Sequence, residues 1–223
     1  MEVARRPALG GRVSTDRRAL LVGIGVAAAG VATVFASIVL TRQPAPDAAS
    51  RQITAAAATV GADGLLPAPT LGADGMWIEA WERPTTGDLS RDAALAAAEG
   101  KLLVVIWERE GCPYCLQLHT HDYRIPALHA YMADKFYVVR LDFYGGHTIR
   151  DFDGTTVSEH EIAGRHRTVG TPTLEFYNAD RKEVLRIPGY VEPDILQAAF
   201  EFADTGAYRQ SNINTWLRER NLL

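Results

Sequence analysis

The chain has 223 residues and a formal net charge of −4, and it contains only two cysteines. The acidic balance and the absence of a basic run give no reason to expect a nucleic-acid partner. Two cysteines also cannot supply the four thiolates of a four-cysteine zinc site. Composition therefore argues against both classes, and the single cysteine pair needs another explanation.

An apolar run without charged side chains, Ala19–Leu40, follows an arginine-rich start. It is long enough to cross a bilayer, which takes about 20 apolar residues. The pair Arg17-Arg18 directly before it resembles a twin-arginine export signal. The alternative is an uncleaved signal anchor in the inner membrane, with the arginines in the cytoplasm. Both interpretations assign residues 1–42 to a hydrophobic export or anchor helix and predict a periplasmic location for the rest of the chain. Contact with the membrane is expected only through this helix.

Two changes of composition divide the remaining chain. Residues 43–75 are rich in Ala, Pro, Gly and Asp and hold few large apolar side chains, which predicts a flexible linker. Residues 76–223 contain all four tryptophans and are long enough for one domain. We therefore expect a single folded domain that begins at Met76.

Hydrophobic periodicity predicts alternating strands and helices within this domain. The predicted helices are Leu89–Lys101, a helix that starts at the cysteine pair, Ala127–Lys135, Val157–His166 with Thr155 or Thr156 as its cap, Pro193–Phe202 and Gln210–Arg220. The predicted strands are Leu102–Trp107, Phe136–Phe143 and the hairpin pair Thr173–Tyr177 and Glu183–Ile187. This order implies an α/β domain with a mixed central sheet and helices on both of its faces.

Both cysteines lie in the motif Gly111-Cys112-Pro113-Tyr114-Cys115, directly after the first predicted strand. Pro113 suits the first turn of a helix, where its missing N–H costs nothing. Cys112 would then lie at a helix N-terminus, which favours the thiolate that attacks disulfides. A purely structural disulfide is disfavoured, because so short a loop adds little entropic stabilisation. The pattern predicts a redox-active disulfide between Cys112 and Cys115, with no other cofactor and no metal.

The order of elements and the Cys-x-x-Cys motif, together with the stretch Val169–Leu174 (VGTPTL), resemble the thioredoxin fold. In that family a loop bearing a cis-proline faces the cysteine pair across the active site. The resemblance implies a cis bond between Thr171 and Pro172, in a loop that offers a backbone edge to an incoming polypeptide. It also implies that Pro113 and Tyr114 contact the substrate.

Three further stretches, Glu108–Cys115, Asp151–Gly154 and Ile187–Tyr190, narrow this resemblance. Together they are similar to the periplasmic thioredoxins associated with bacterial sulfur oxidation, the SoxW type, over residues 76–208. The resemblance implies a disulfide-bearing client, either a thiol-bearing carrier of the sulfur-oxidation system or an apocytochrome awaiting haem. It implies a membrane-embedded thiol transporter as the electron donor, and we expect the protein to be a monomer.

The expected activity is that of a protein-disulfide reductase. Cys112, the exposed cysteine in this fold, attacks the client disulfide, and Cys115, buried one turn later, resolves the mixed disulfide. A disulfide donor or isomerase is an alternative, because the same exchange runs in either direction. A metal-binding or metal-delivery protein is a second alternative, in which Cys112, Cys115 and His119 lie on one helical face and hold a soft metal.

The sequence also offers a candidate for the proton relay of this family. Ordinary thioredoxins carry a buried acid shortly before the first cysteine, at a position that is Ile106 here. The nearest candidates are Glu108 and Glu110. Strand alternation places Glu108 on the same face as Ile106, which makes Glu108 the preferred relay. The alternative is that Glu108 is a solvated carboxylate at the end of a strand.

Replacing Arg17 and Arg18 by lysine is expected to abolish export of a reporter fused to residues 1–42, because the twin-arginine route depends on the arginine pair. The reporter should be active only after export in the folded state. The matched control is Arg5→Lys with Arg6→Lys, which leaves the pair intact. Unchanged export with Arg17→Lys and Arg18→Lys would contradict the twin-arginine route and leave the ordinary secretory route.

Overall fold

The computed structural model describes residues 60–223. The expected export or anchor helix and the first part of the expected linker lie outside this range. From residue 60 onward, no helix combines the length and the apolarity that a membrane span requires.

Nine strands and six α-helices make up the described residues. The strands are β1 (Thr70–Leu71), β2 (Trp77–Ile78), β3 (Glu82–Arg83), β4 (Leu102–Glu108), β5 (Phe136–Asp142), β6 (Thr148–Arg150), β7 (Thr156–Ser158), β8 (Thr173–Tyr177) and β9 (Glu183–Pro188). The helices are α1 (Leu89–Ala98), α2 (Pro113–Thr120), α3 (Pro126–Lys135), α4 (Glu159–Arg165), α5 (Pro193–Asp204) and α6 (Ile213–Arg218). Two 3₁₀ turns, Asp122–Arg124 and Ala207–Arg209, complete the list.

The central sheet has five strands in the order β3-β5-β4-β8-β9. Strands β3, β5 and β4 run parallel to one another, whereas β8 is antiparallel to β4 and β9 is antiparallel to β8. The prediction of a mixed sheet is therefore confirmed. Strand β4 is central and buried from Leu103 to Glu108, which explains why its sequence is a nearly continuous apolar run.

Side chains of β4 alternate between two hydrophobic cores, one on each face of the sheet. Val104 and Ile106 belong to a core that is completed by α2, α3 and α5. Leu103, Val105 and Trp107 belong to a second core that is completed by α1 and α4. The expected helices on both faces are thus present.

The region before α4 differs from the sequence prediction. A helix was expected over Val157–His166 with Thr155 or Thr156 as its cap, but β6 and β7 form a small antiparallel hairpin there. The helix begins at Glu159, because the Ser158 hydroxyl accepts a hydrogen bond from the N–H of Glu161, whose carboxylate accepts one from the N–H of Ser158. This reciprocal capping box outcompetes the threonines, whose β-branched side chains favour a strand.

The boundary between linker and domain also differs from the prediction. Residues 60–75 were assigned to a flexible linker, but β1 within them pairs with β2. The N–H of Leu66 donates to the carbonyl of Arg124 over 2.8 Å, and the Arg124 guanidinium donates back to the Leu66 carbonyl over 2.6 Å. Arg124 also forms an ion pair with Asp63. The ordered domain therefore begins before Met76, through partners that are distant in the sequence.

Ser158→Ala is expected to lower the free energy of unfolding by about 1 kcal/mol, because it removes the N-terminal cap of α4. Chemical denaturation of the purified protein measures this change. Thr156→Ala serves as the matched control and should cost less. A larger loss for Thr156→Ala would show that the helix is capped where the sequence alone suggested.

Candidate active site

The cysteine pair lies at the start of α2, directly after the central strand. Cys112 and Cys115 form a disulfide with their Cα atoms 5.2 Å apart, a normal separation for this bond. Cys112 is the N-cap of the helix and Pro113 occupies its first turn, as the sequence predicts. The N–H of Cys115 donates to the Sγ of Cys112 over 3.2 Å. The helix N-terminus therefore points its free N–H groups at the Cys112 sulfur, where they would stabilise a thiolate after reduction.

The two cysteines differ less in exposure than expected. Cys112 is 5% exposed and Cys115 is 2% exposed. Cys112 is the more accessible of the two, but the expectation of an exposed residue is wrong in degree. Its sulfur is in contact with the loop that carries Thr171.

This loop comes from a distant part of the chain and ends in a cis peptide bond between Thr171 and Pro172. The Thr171 hydroxyl lies 3.3 Å from the Sγ of Cys112, and the Thr171 carbonyl oxygen lies 3.5 Å from it. The Pro172 carbonyl is held by the N–H of Gly189 over 2.8 Å. The structure thus brings together the cysteine pair, Thr171 and Pro172, as the resemblance implied.

Exposed apolar side chains lie on the two segments that carry the disulfide and Thr171. Tyr114, between the cysteines, is 57% exposed and stacks on Tyr190, with ring centroids 5.6 Å apart. Val169, two residues before Thr171, is 87% exposed. The stretch Ile187–Tyr190, singled out in the sequence, thus contributes an aromatic ring to the surface beside the cysteines. Such side chains are suited to contact with another polypeptide.

A buried polar cluster lies below the cysteine pair and includes Glu108. The Nε2 of His119 is 2.8 Å from Glu108, and its Nδ1 is 2.8 Å from Glu79. His119 is fully buried and both carboxylates are nearly so. We name this set the His119 cluster. Glu108 is therefore not a solvated carboxylate at a strand end. The sequence did not predict Glu79, because no local pattern links it to residues of β4 or α2.

Burial alone would lower the pKa of His119, but its hydrogen bonds to Glu108 and Glu79 outweigh burial and raise that pKa to about 9. His119 is therefore a charged imidazolium at neutral pH, and each of its N–H groups donates to a carboxylate. Burial and the charge of Glu108 raise the pKa of Glu82, a neighbour on β3, to about 7, against the opposing effect of Arg140.

The same contacts bear on the alternative of a soft-metal site. Such a site needs a free nitrogen of His119 beside the sulfurs of Cys112 and Cys115. Both ring nitrogens are bonded to carboxylates instead. Within residues 60–223, no cluster of three or more His, Cys, Asp and Glu side chains has a geometry that could hold a metal ion. The arrangement argues against metal delivery by this histidine.

A second histidine, partly buried, occupies the opposite face of the sheet. His166 is bonded through Nδ1 to Glu175 over 2.8 Å and through Nε2 to Asp151 over 3.0 Å. The Thr168 hydroxyl donates to Glu175 over 2.8 Å, which fixes the start of the loop that leads to Thr171. No sequence pattern predicts this network, since its members come from β8, from the loop that follows α4, and from the turn between β6 and β7. It also explains the stretch Asp151–Gly154, whose first residue anchors His166.

The fold and the cysteine pair define the class of protein. A mixed sheet with helices on both faces, a Cys-x-x-Cys disulfide at a helix N-terminus and a facing cis-proline loop constitute a thioredoxin fold with the redox centre of the thiol–disulfide oxidoreductases. The chain belongs to the Thioredoxin-like domain family, whose profile matches residues 89–204, more than half of the sequence. No protein of curated function matches the chain.

Several solved structures are similar to parts of this chain. A thioredoxin-fold protein from Helicobacter pylori is 18% identical over 54% of this chain and 84% of its own, with a TM-score of 0.49. A thioredoxin from Thermus thermophilus is 27% identical over 58% of this chain and 85% of its own, with a TM-score of 0.40. The oxidised C-terminal domain of DsbD from Neisseria meningitidis is 17% identical over 52% of this chain and 90% of its own, with a TM-score of 0.38. These similarities are too weak to transfer a client or a direction of exchange.

The raised pKa of His119 predicts a pH-dependent stability. A histidine whose pKa rises from 6.5 to about 9 on folding contributes stability that is complete below pH 6.5 and is lost as the pH rises through 9. The contribution is on the order of 3 kcal/mol, because one pKa unit corresponds to about 1.4 kcal/mol. The free energy of unfolding should therefore fall between these pH values in the wild type.

His119→Gln should remove most of this slope, whereas His160→Gln, on the exposed face of α4, should retain it. Denaturation curves at a series of pH values measure both. An identical slope in wild type and His119→Gln would show that His119 does not gain a proton on folding.

Proposed function

We propose that the protein is a thiol–disulfide oxidoreductase that reduces the disulfide of a client protein outside the cytoplasm. The observation that supports this most directly is the Cys112–Cys115 disulfide at the N-terminus of α2, with Thr171 in contact with the Cys112 sulfur. The helix dipole and the N–H groups at the helix N-terminus act on the sulfur of Cys112 and not on that of Cys115. Cys112 is therefore the attacking cysteine and Cys115 the resolving one.

The reaction begins with the reduced pair. The Cys112 thiolate attacks one sulfur of the client disulfide, so that a mixed disulfide forms and the other client sulfur leaves as a thiolate. Cys115 loses its proton and attacks the Cys112 sulfur. The mixed disulfide then breaks, the second client thiolate is released, and the Cys112–Cys115 disulfide forms again. The client gains two electrons and the cysteine pair loses two.

The client docks along the loop that ends at Pro172. Thr171 approaches the attacking sulfur with both its hydroxyl and its carbonyl, so a client segment that follows this loop passes directly beside Cys112. An extended segment can pair with such a backbone edge. Val169 contacts the client from this loop, and Pro113 and the exposed ring of Tyr114 contact it from the start of α2. Main-chain pairing and apolar contact do not depend on particular client side chains, so the recognition has low sequence specificity.

Glu108 accepts the proton that Cys115 loses. It is buried at the end of β4, and its partner His119 lies one helical turn after Cys115. A buried carboxylate is expensive to keep ionised unless it is paired. The imidazolium of His119 supplies that pairing, so Glu108 is an anion held ready below the resolving cysteine.

The proposal includes a location outside the cytoplasm, which the sequence supports. The arginine pair before an apolar run supports export or anchoring, and the periplasm is an oxidising compartment. Reduction there requires an electron donor, for which a membrane-embedded thiol transporter has the right chemistry. Similarity to the SoxW-type thioredoxins suggests a monomer whose client is a thiol-bearing sulfur carrier or an apocytochrome. A disulfide donor or isomerase remains the second candidate, because all the groups described serve both directions.

Cys112→Ser is expected to abolish reduction of insulin disulfides in the presence of dithiothreitol, because the attacking thiolate is lost. Cys115→Ser should instead leave a stable mixed disulfide with a client, which can be isolated from a periplasmic extract and identified. The double variant Cys112→Ser with Cys115→Ser is the control and should trap nothing. A trapped adduct on Cys115 in the Cys112→Ser variant would reverse the assigned roles.

The direction of exchange is tested by the equilibrium of the pair with glutathione. A reductase should have a potential near the −270 mV of thioredoxins, whereas a disulfide donor should lie near about −120 mV. A value at the oxidising end would replace the reductase proposal with the donor. Absence of any exchange in both assays would contradict the proposed class of activity itself.

A further inference from the structure

The His119 cluster lies one turn of α2 beyond the resolving cysteine and borders a cleft at the protein surface. A cleft of about 500 Å³ opens beside β3 and β5 and is lined by Glu79 and Glu82 among other residues. Glu79 therefore has two sets of neighbours: it borders the cleft, and it accepts a hydrogen bond from the Nδ1 of His119. The other ring nitrogen of His119 reaches Glu108. A continuous path of hydrogen bonds thus joins the buried Glu108 to the cleft.

The inner end of this path lies near the resolving cysteine on the helix. Cys115 and His119 are four residues apart on α2 and both are buried, so they occupy the same face of the helix. Residues with this spacing have Cβ atoms about 5–6 Å apart, and a helical side chain leans toward the turn before it. The imidazole of His119 and its partner Glu108 therefore lie below Cys115 rather than below the attacking Cys112.

We propose that His119 is a positioning residue for the resolving step, and that Glu79 connects it to the cleft as a proton exit. The inference rests on the proposed function, since it concerns the second half of the exchange reaction. It adds two residues, His119 and Glu79, to the chemistry assigned to Glu108.

Every proton of the resolving step is accounted for. The thiol of Cys115 gives its proton to Glu108, and the electron pair of the resulting thiolate forms the bond to the Cys112 sulfur. The Nδ1 proton of His119 passes to Glu79 and from there to water in the cleft. One proton enters the cluster at Glu108 as another leaves at Glu79, so the cluster keeps a net charge of −1. The reverse transfer returns a proton to Cys115 when the pair is reduced again.

Other groups that face His119 do not interrupt this path. Tyr123 packs edge-on against the imidazole with centroids 5.2 Å apart, and Trp77 stacks on it at 6.2 Å. Burial keeps the pKa of the Tyr123 hydroxyl well above its ordinary value, so that this group holds its proton. The remaining nearby carboxyls are Asp122, which is bonded to His121, and Glu82, which is paired with Arg140. Neither is hydrogen-bonded to His119.

The test separates the two halves of the exchange. The reduced full-length protein is mixed with one equivalent of an aromatic disulfide that releases a coloured thiolate. Attack by Cys112 gives a first release, and attack by Cys115 on the mixed disulfide gives a second. Stopped-flow absorbance resolves the two rates over a range of pH.

His119→Gln and Glu79→Gln are expected to slow the second release by about tenfold at neutral pH, with the first release unchanged. The difference should disappear at high pH, where Cys115 loses its proton to solvent without assistance. His160→Gln, away from the cluster, should match the wild type. Glu82→Gln removes a cleft carboxyl that does not bond to His119, and it should slow the second release less than Glu79→Gln does.

Each outcome decides between the alternatives. A second release that is unchanged in Glu79→Gln, or slowed equally at every pH, would overturn the inference, because a structural defect acts independently of pH. An equal effect of Glu82→Gln would replace the path through Glu79 with a general effect of charge. If His119→Gln fails to fold, Glu79→Gln decides alone, since its side chain borders the cleft. A wild type that releases no thiolate would refute the proposed function instead.

Discussion

The antiparallel pairing of β4 with β8 is the constraint on which the active site depends. Its register places Trp107 opposite Thr173. Strand β4 therefore ends where β8 begins. The segment that follows β4 and the segment that precedes β8 emerge at the same end of the sheet. One segment carries Cys112 and the other carries Thr171. A shift of this register by one residue would turn every side chain of one strand to the other face and separate the two loops.

Charged groups packed against both faces of the sheet are the second feature on which the active site depends. Each face holds one histidine between two carboxylates: His119 on the face of α2, and His166 on the face of α4. Buried ion pairs give little net stability compared with apolar packing of the same volume. The two clusters instead hold other groups of the active site in place. The first holds Glu108 below the resolving cysteine, and the second holds the loop that reaches Thr171.

In the proposed mechanism the two clusters serve opposite sides of one disulfide. The His166 network supports the client side, because Thr168 is bonded to Glu175 and lies three residues before Thr171. The His119 cluster supports the resolving thiol and borders a surface cleft. The proposal thus assigns client docking and proton release to different groups of residues.

The class of fold and the cysteine pair could be predicted from the sequence, and the cis-proline loop through its resemblance to the thioredoxin fold. The signals are local: the apolar run of β4, proline at the first turn of α2 and the spacing of both motifs are read from neighbouring residues. The two histidine clusters could not be predicted in this way. Glu79, His119 and Glu108 come from three separate segments of the chain, as do Asp151, His166 and Glu175, and no periodicity links them. The start of α4 at Glu159 is decided locally, by the capping box between Ser158 and Glu161, which prevails over the neighbouring threonines. The contacts of residues 60–75 with Arg124 are hydrogen bonds between distant segments, which a pattern of single residues does not contain.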